Sequence, residues 1–423
     1  MDPAAPPRPP AGLPDDALLD AVSRAALDYF WGFAHPVSGM ARERSGGAFG
    51  YDTDATVTTG GTGFGLMALV AGAARGWLAR DAVAARIARV VAFLEAAERH
   101  HGVFPHFMDG ATGATIPFSP QDDGGDLVET AFLVAGLLAA RGAFAGDAAL
   151  VAGIDRICRG VEWSAHLRPD DGALMWHRSA RHPWAARSLP IRGWNECLIT
   201  YVLAAGSPTH PIPPAAYHDC WAKGDQFVNG HSYHGIRLPL GPAGGGPMFL
   251  SHYSFLGLDP RGLVDRYADY GAQTRAHARI NHAHCCANPL GYPGYGPDCW
   301  GLSASDSPGG YDAHSPTNDL GVISPTAAVA SLPYLPAEAM RALRHFVEVR
   351  GDALWGRFGL VDAFCPGSGW VAPATLAIDQ GPIVVMIENH RSGLIWQHVM
   401  AAPEVADGLR RLGFRSPRSQ LSA

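Results

Sequence analysis

Two kinds of helical pattern alternate along this chain. In the first, apolar residues recur at helical spacing and charges fill the opposite side. It covers Asp16 to Phe33, Asp81 to Arg99, Asp147 to His166, Pro214 to Phe227, Arg261 to His284, Ala337 to Val349 and Pro403 to Leu412. In the second, the run is apolar all round and rich in Gly and Ala. It covers Thr59 to Ala74, Asp126 to Ala140, Asn195 to Ala205, Met248 to Leu256, Asp319 to Leu332 and Asp379 to Arg391. An all-round apolar helix is buried, whereas an amphipathic one keeps a face for water. Regular alternation of the two predicts an all-α fold with an inner ring of helices inside an outer one, an α/α barrel. A helical solenoid is the rival, since it uses the same helix pairs without closing them.

The connections alternate as well. Links into the outer runs are short; links into the inner runs are long and rich in Gly, His and aromatic residues. Asp109-Gly110 and Asp171-Gly172 mark small hairpin turns. The longest link, Gly291 to Asn318, carries Tyr292, Tyr295, Trp300 and Tyr311, and ordered links of that length are usually functional. No linker splits the chain. The expected organisation is a Pro-rich flexible tail over 1–14, one barrel domain over 15–414 and a flexible end over 415–423.

Composition narrows the reading only slightly. The net charge is −7 and no basic stripe occurs, which argues against a nucleic-acid partner. The seven Cys are irregularly spaced and suggest neither a disulfide framework nor a paired zinc motif. No run approaches the ~20 apolar residues of a membrane span. The N-terminal stretch shows no signal-like apolar region, so a cytoplasmic location is expected; a leader upstream would make it periplasmic.

The informative chemistry is acidic. Asp122, Asp126 and Glu129 share one helical face by their spacing, and the last two fall where an inner run begins. A capping box, with Asp126 as N-cap and Glu129 at the third helical position, accounts for the pair structurally. It does not exclude catalysis, because a cap at a barrel mouth still faces the pocket. Glu196 follows Trp194-Asn195, with Asn195 as the expected N-cap, and the apolar run after it implies a desolvated carboxyl with a raised pKa. Asp379 opens the last inner run, and the deeper Glu388 is expected to pair with Arg391. If the inner helices run parallel, these acids converge on one acidic pocket, and paired carboxyls in such a pocket suit the splitting of glycosidic bonds. Arg42, Arg44, Arg178, Arg192 and His177 lie in the same loops and are candidates to bind sugar hydroxyls or balance the acids. Trp176, Trp194, Trp300, Trp370 and Tyr311 are candidates to stack on sugar rings, and equally candidates for loop packing. Asn281-His282-Ala283-His284-Cys285-Cys286 looks metal-like in composition only, since a helix sends His282 and His284 to nearly opposite sides. Gly60-Gly61-Thr62-Gly63-Phe64-Gly65 lacks the Lys of a phosphate loop and reads as close helix packing. No GxSxG nucleophile motif is present. No metal and no cofactor are expected.

Several segments resemble a known family. Tyr29-Phe30-Trp31, Ser38 to Arg44, Gly60 to Gly65, Trp194-Asn195-Glu196, Gly206 to Pro211 and Ile378 to Pro382 are similar to the bacterial glycoamylase-like family, which includes the endo-β-1,2-glucanases of glycoside hydrolase family 144. The resemblance runs from about Leu27 to Phe414. It implies an (α/α)6 barrel of six inner and six outer helices with loops and hairpins at one mouth. It also implies metal-free, inverting hydrolysis of β-1,2-glucan, with pocket acids at Asp122, Asp126, Glu129, Glu196 and Asp379. Inversion needs a protonated acid on the leaving oxygen and a carboxylate that activates water from the opposite face. Glu196 is the expected acid. Asp379 is the favoured base, with Asp126 and Glu129 close behind. An exo-acting, sophorose-releasing hydrolase or β-glucosidase remains an alternative, and so does a non-catalytic glycan-binding domain. A polysaccharide lyase is disfavoured, because neutral glucan does not readily give unsaturated ends.

Overall fold

The computed structural model describes residues 9–46, 52–120, 122–179, 181–182 and 189–417. The fold is mostly helical. Its α-helices are α1 (Asp15–Trp31), α2 (Thr59–Ala74), α3 (Arg80–Ala96), α4 (Leu127–Ala143), α5 (Ala148–Gly160), α6 (Leu198–Gly206), α7 (Tyr253–Gly257), α8 (Tyr270–Ala287), α9 (Pro325–Val329), α10 (Pro336–Arg344), α11 (Gly351–Leu354), α12 (Ala377–Arg391), α13 (Leu394–Met400) and α14 (Pro403–Arg411). None of these helices is long and apolar enough to cross a membrane.

Burial follows the two patterns. α6 is buried over its whole length, and α2, α4 and α12 over nearly all of theirs. α5 buries only Leu150, Gly153, Ile154, Ile157 and Cys158, a single stripe at helical spacing. The Gly content of the buried helices has a steric cause. A Cβ on Gly63 of α2 would lie 2.1 Å from the Phe132 carbonyl oxygen of α4, and one on Gly136 of α4 would lie 2.1 Å from the Gly63 carbonyl oxygen. These helices touch backbone to backbone, which no larger residue permits.

Several expected helices are shorter than the runs that predicted them. Arg261 to His284 becomes α8 only from Tyr270, because Asp269 caps it by accepting from the Ala272 N–H at 2.8 Å. Met248 to Leu256 splits into a 3-10 turn, Met248–Ser251, and the brief α7. Asp319 to Leu332 is helical only over α9, which opens on Pro325. Pro214 to Phe227 keeps a π-helical turn, Ala216–Trp221. Met248 to Leu256 and Asp319 to Leu332 are apolar because they are largely buried, and burial alone does not require a helix.

The strands are short, and all lie in the connections. Thr56–Thr58, Phe107–Asp109 and Thr115–Ile116 form a three-stranded antiparallel sheet whose turn includes Asp109-Gly110. Gly125–Asp126 pairs with His177–Arg178, so Asp126 lies opposite His177. Ala304–Ser307 and Gly310–Ala313 form a hairpin inside the longest link. The first residues of the expected tail lie outside the described residues. Further along it, the Gly12 N–H donates to Glu348 and the Leu13 carbonyl accepts from Arg344. At the other end Arg415 pairs with Val264, and 418–423 lie outside the described residues.

Candidate active site

The starts of α2, α4, α6 and α12 bring two groups of acids together. The first is built around α4. Asp126 is its N-cap and accepts from the N–H groups of Val128 and Glu129, both at 2.9 Å. Glu129 does not reach back to close a capping box. It crosses to α2 and accepts from the Gly60 N–H at 2.8 Å. A Cβ at position 60 would stand 2.4 Å from that carboxylate oxygen, so glycine is what lets Glu129 dock there. His106, just before the strand Phe107–Asp109, places Nδ1 3.0 Å from Asp126. Phe118 stacks on its ring at 4.4 Å.

The charges of this group are interdependent. Burial alone would keep His106 neutral. Glu129, Asp126 and Asp122 outweigh it and lift the imidazole to about 9, so it is a cation at neutral pH. Glu129 is raised to about 7 by burial, against the pull of His106. Asp122, 6 % exposed with no partner on Oδ1, is raised to about 7 by burial and by Asp126. His177 has an unpartnered Nε2, and burial lowers its pKa. His106, Asp122 and Asp126 each place a ligand atom within 4.8 Å of the others. That set would suit a divalent ion only if His106 first gave up its proton; the imidazolium already supplies a positive charge to these carboxylates.

Glu196 lies in the turn before α6, earlier than the first helical turn expected of it. Asn195 Oδ1 accepts from the Cys197 N–H at 3.1 Å and from Trp221 Nε1 at 3.2 Å, so its side chain stabilises the turn and α6 begins at Leu198. The Glu196 carbonyl accepts from Ser254. Its half-buried carboxyl is pushed up to about 7, chiefly by lost hydration and then by Glu129 and Asp126.

The second group surrounds Asp379, in the first turn of α12 and 2 % exposed. Asp379 is hydrogen-bonded to Asp362, and burial followed by that neighbouring carboxyl holds it well above the usual carboxylate range. Arg44 contacts both oxygens of Asp306 at 3.2 Å and Glu43 at 2.9 Å. Tyr311 pairs with Asp306 across the hairpin and is 43 % exposed. Lost hydration, then Asp379 and Asp362, hold its phenol well above the ordinary value. Tyr253 of α7 links the two groups: its phenol, raised first by burial, feels Asp379, Tyr311, Glu196 and Glu129.

The remaining expected residues divide. Arg44, His177 and Tyr311 join the acid groups. Arg42 lies over the Phe33 ring at 4.6 Å and donates to the Asp54 carbonyl at 3.1 Å. Trp176 is half-buried and accepts the Leu127 N–H on its carbonyl, at the start of α4. Arg178 donates to the Ala165 carbonyl. Arg192 is exposed and held by Asp171 at 2.6 Å. Trp194 packs on Trp221, 5.8 Å between ring centres, and is buried. Trp300 is fully buried beside His282, with its N–H on the Glu338 carbonyl. It offers no ring face to a ligand, and the structure does not bring it to the acids. Glu388 pairs with Arg75 at 2.7 Å rather than with Arg391, which reaches Asp20. His282 and His284 diverge as a helix requires, to the Pro297 carbonyl and to Asp319.

Sequence reasoning passed over His106, Asp306, Asp362 and Tyr253. Asp362 carried a signal, an acid inside the apolar stretch Leu360-Val361-Asp362-Ala363-Phe364. The others carried none that local pattern exposes.

Comparison with known proteins identifies the family. The family model described as "Glycoamylase: Putative glucoamylase" matches residues 188–403, and the chain belongs to that family. It is 40% identical over 425 residues to an exo β-1,2-glucooligosaccharide sophorohydrolase (non-reducing end) of Parabacteroides distasonis. That match takes in 95% of this chain and 58% of the relative, so the chain spans less than two thirds of the curated relative's length. Among solved structures, an endo-β-1,2-glucanase from Chitinophaga pinensis, in complex with sophorotriose and glucose, is 46% identical with a TM-score of 0.93, over 96% of this chain and 100% of that one. A "putative glucoamylase" from Bacteroides uniformis is 50% identical with a TM-score of 0.93, over 96% of this chain and 99% of that one.

Proposed function

We propose that this protein is a glycoside hydrolase that cleaves β-1,2-glucan internally and releases sophorooligosaccharides with inversion. Its domain is an (α/α)6 barrel over 15–414, with the site at the mouth where the inner helices start. Glu196 is the general acid and Asp379, with its partner Asp362, the base. The observation that carries the reading is Glu196 itself. It is a half-buried carboxyl raised to about 7, beside further carboxylates at helix starts, and a general acid needs to hold its proton near neutral pH. Glu129, Asp126 and Asp122, ordered by His106 and Gly60, bind sugar hydroxyls. Tyr311 and Trp176 flank the cleft. The substrate class rests on the relatives, which are named for β-1,2-glucan and its oligosaccharides.

An exo-acting, sophorose-releasing enzyme is the second reading, favoured by the name of the 40% identical relative. Product analysis on linear β-1,2-glucan separates the two. Mixed short sophorooligosaccharides from the wild type, and none from Glu196→Gln, are expected of an endo-hydrolase. Sophorose alone would assign exo action. No product from this or any other glucan would sink the hydrolase and leave a glycan-binding domain.

A further inference from the structure

We infer that Asp362 is a positioning residue that shares one proton with Asp379, so that the two carboxyls act as a single base carrying one negative charge. This deepens the proposed hydrolytic reading and rests on it for the role in turnover. Asp362 and Asp379 come from separate segments and are 1 % and 2 % exposed. Gln380, the next residue of α12, donates to the Leu360 carbonyl at 3.0 Å and ties the two segments together. The Asp306 N–H donates to Asp362 Oδ2 at 2.8 Å. No amide, hydroxyl or cationic donor reaches Asp362 Oδ1 or Asp379 Oδ2.

Two ionised carboxylates do not persist in contact in a dry site. A hydrogen bond between carboxyls needs a proton, and this pair is hydrogen-bonded. The nearby cation, Arg44, is engaged with Glu43 and with both oxygens of Asp306. One proton therefore resides in the pair. In turnover, an O–H bond of the attacking water breaks and its proton passes to Asp379, while the shared proton moves wholly onto Asp362. The water oxygen bonds to the anomeric carbon, the glycosidic C–O bond breaks, and the leaving oxygen takes the Glu196 proton. The pair then releases one proton to solvent and Glu196 takes one up, which restores both groups.

Infrared difference spectra of the full chain at neutral pH test the sharing directly. Asp362→Asn removes the carboxyl hydrogen-bonded to Asp379 and puts an amide donor in its place, which favours the Asp379 anion, so one buried carboxylic-acid C=O band disappears. Asp379→Asn removes the same band by the mirror argument, and keeps the test open if Asp362→Asn does not fold. On β-1,2-glucan, Asp362→Asn should lower kcat about 10²-fold with KM nearly unchanged, since the residue acts through Asp379. An unchanged carbonyl band in either folded variant would overturn the shared proton, and a normal kcat in Asp362→Asn would overturn its role in the base. A wild type inert on glucans would overturn the hydrolytic reading alone, because the band reports the proton without turnover.

Discussion

One helix carries two buried acids with opposite fates. Asp379 and Glu388 both lie in α12 and are 2 % and 4 % exposed. Glu388, towards the C-terminal end, meets Arg75 through two contacts at 2.7 and 3.2 Å and accepts from Ser392 as well. Asp379, in the first turn, meets another carboxyl, and burial drives its pKa up. Burial is therefore a poor guide to chemistry by itself. A buried acid with a dedicated cation holds helices together, whereas one grouped with other acids stores a proton that a reaction draws on.

Replacing one acid of each kind tests that contrast. Glu196→Gln should reduce kcat on β-1,2-glucan by about 10²- to 10⁴-fold. The same variant should be more stable than wild type above neutral pH, by about 1–3 kcal/mol, because it removes the cost of ionising a carboxyl whose folded pKa is about 7. Loss of activity together with loss of stability would place Glu196 with the structural acids. Glu388→Gln should do the reverse. It leaves the partly exposed Arg75 without its carboxylate, lowers the melting free energy by about 1–3 kcal/mol, and leaves kcat per folded molecule unchanged.

The pH dependence of stability sharpens the comparison. Groups whose folded pKa is raised stabilise below their unfolded pKa and lose that contribution as pH climbs through the folded one. For Asp122, Glu129 and Glu196 the loss runs from about 4 to about 7, and for His106 from about 6.5 to about 9. Melting temperature should therefore fall from neutral pH to pH 9, and His106→Gln should flatten the upper part of that fall. Gly60→Ala has a smaller effect. Its methyl displaces Glu129, which costs about 1–3 kcal/mol by overpacking and lowers turnover. Arg192→Ala should change stability by less than about 1 kcal/mol, since its pair with Asp171 is solvent-exposed. A raised KM in that variant would make Arg192 a substrate contact.

Much of this arrangement was legible in the chain. Asp126 caps α4 as its position implied, because capping depends only on neighbours two and three residues away. Asp379 falls in the first turn of α12 without capping it, since the helix starts at Ala377 with no side-chain cap. Glu129 shows where local reasoning stops. Its spacing fits a capping box, yet it docks on Gly60 of another helix. Trp300 shows the same limit from the other side. An aromatic residue in a long Gly-rich link suggests a ligand platform, but its indole is sealed against His282 and the Glu338 carbonyl.

Periodicity in the sequence by itself determined that the protein is built from alternating buried and amphipathic helices, and that carboxylates stand at the starts of the buried ones. These features are set by interactions within a turn or two of chain. Only the tertiary structure decided which acids meet and which carry protons. The ion pair of Arg44 with Asp306 and the docking of Glu129 on Gly60 join residues 262 and 69 positions apart. Dehydration, the largest cause of the raised pKa at Glu196 and Asp379, depends on everything packed around a group rather than on its neighbours in the chain.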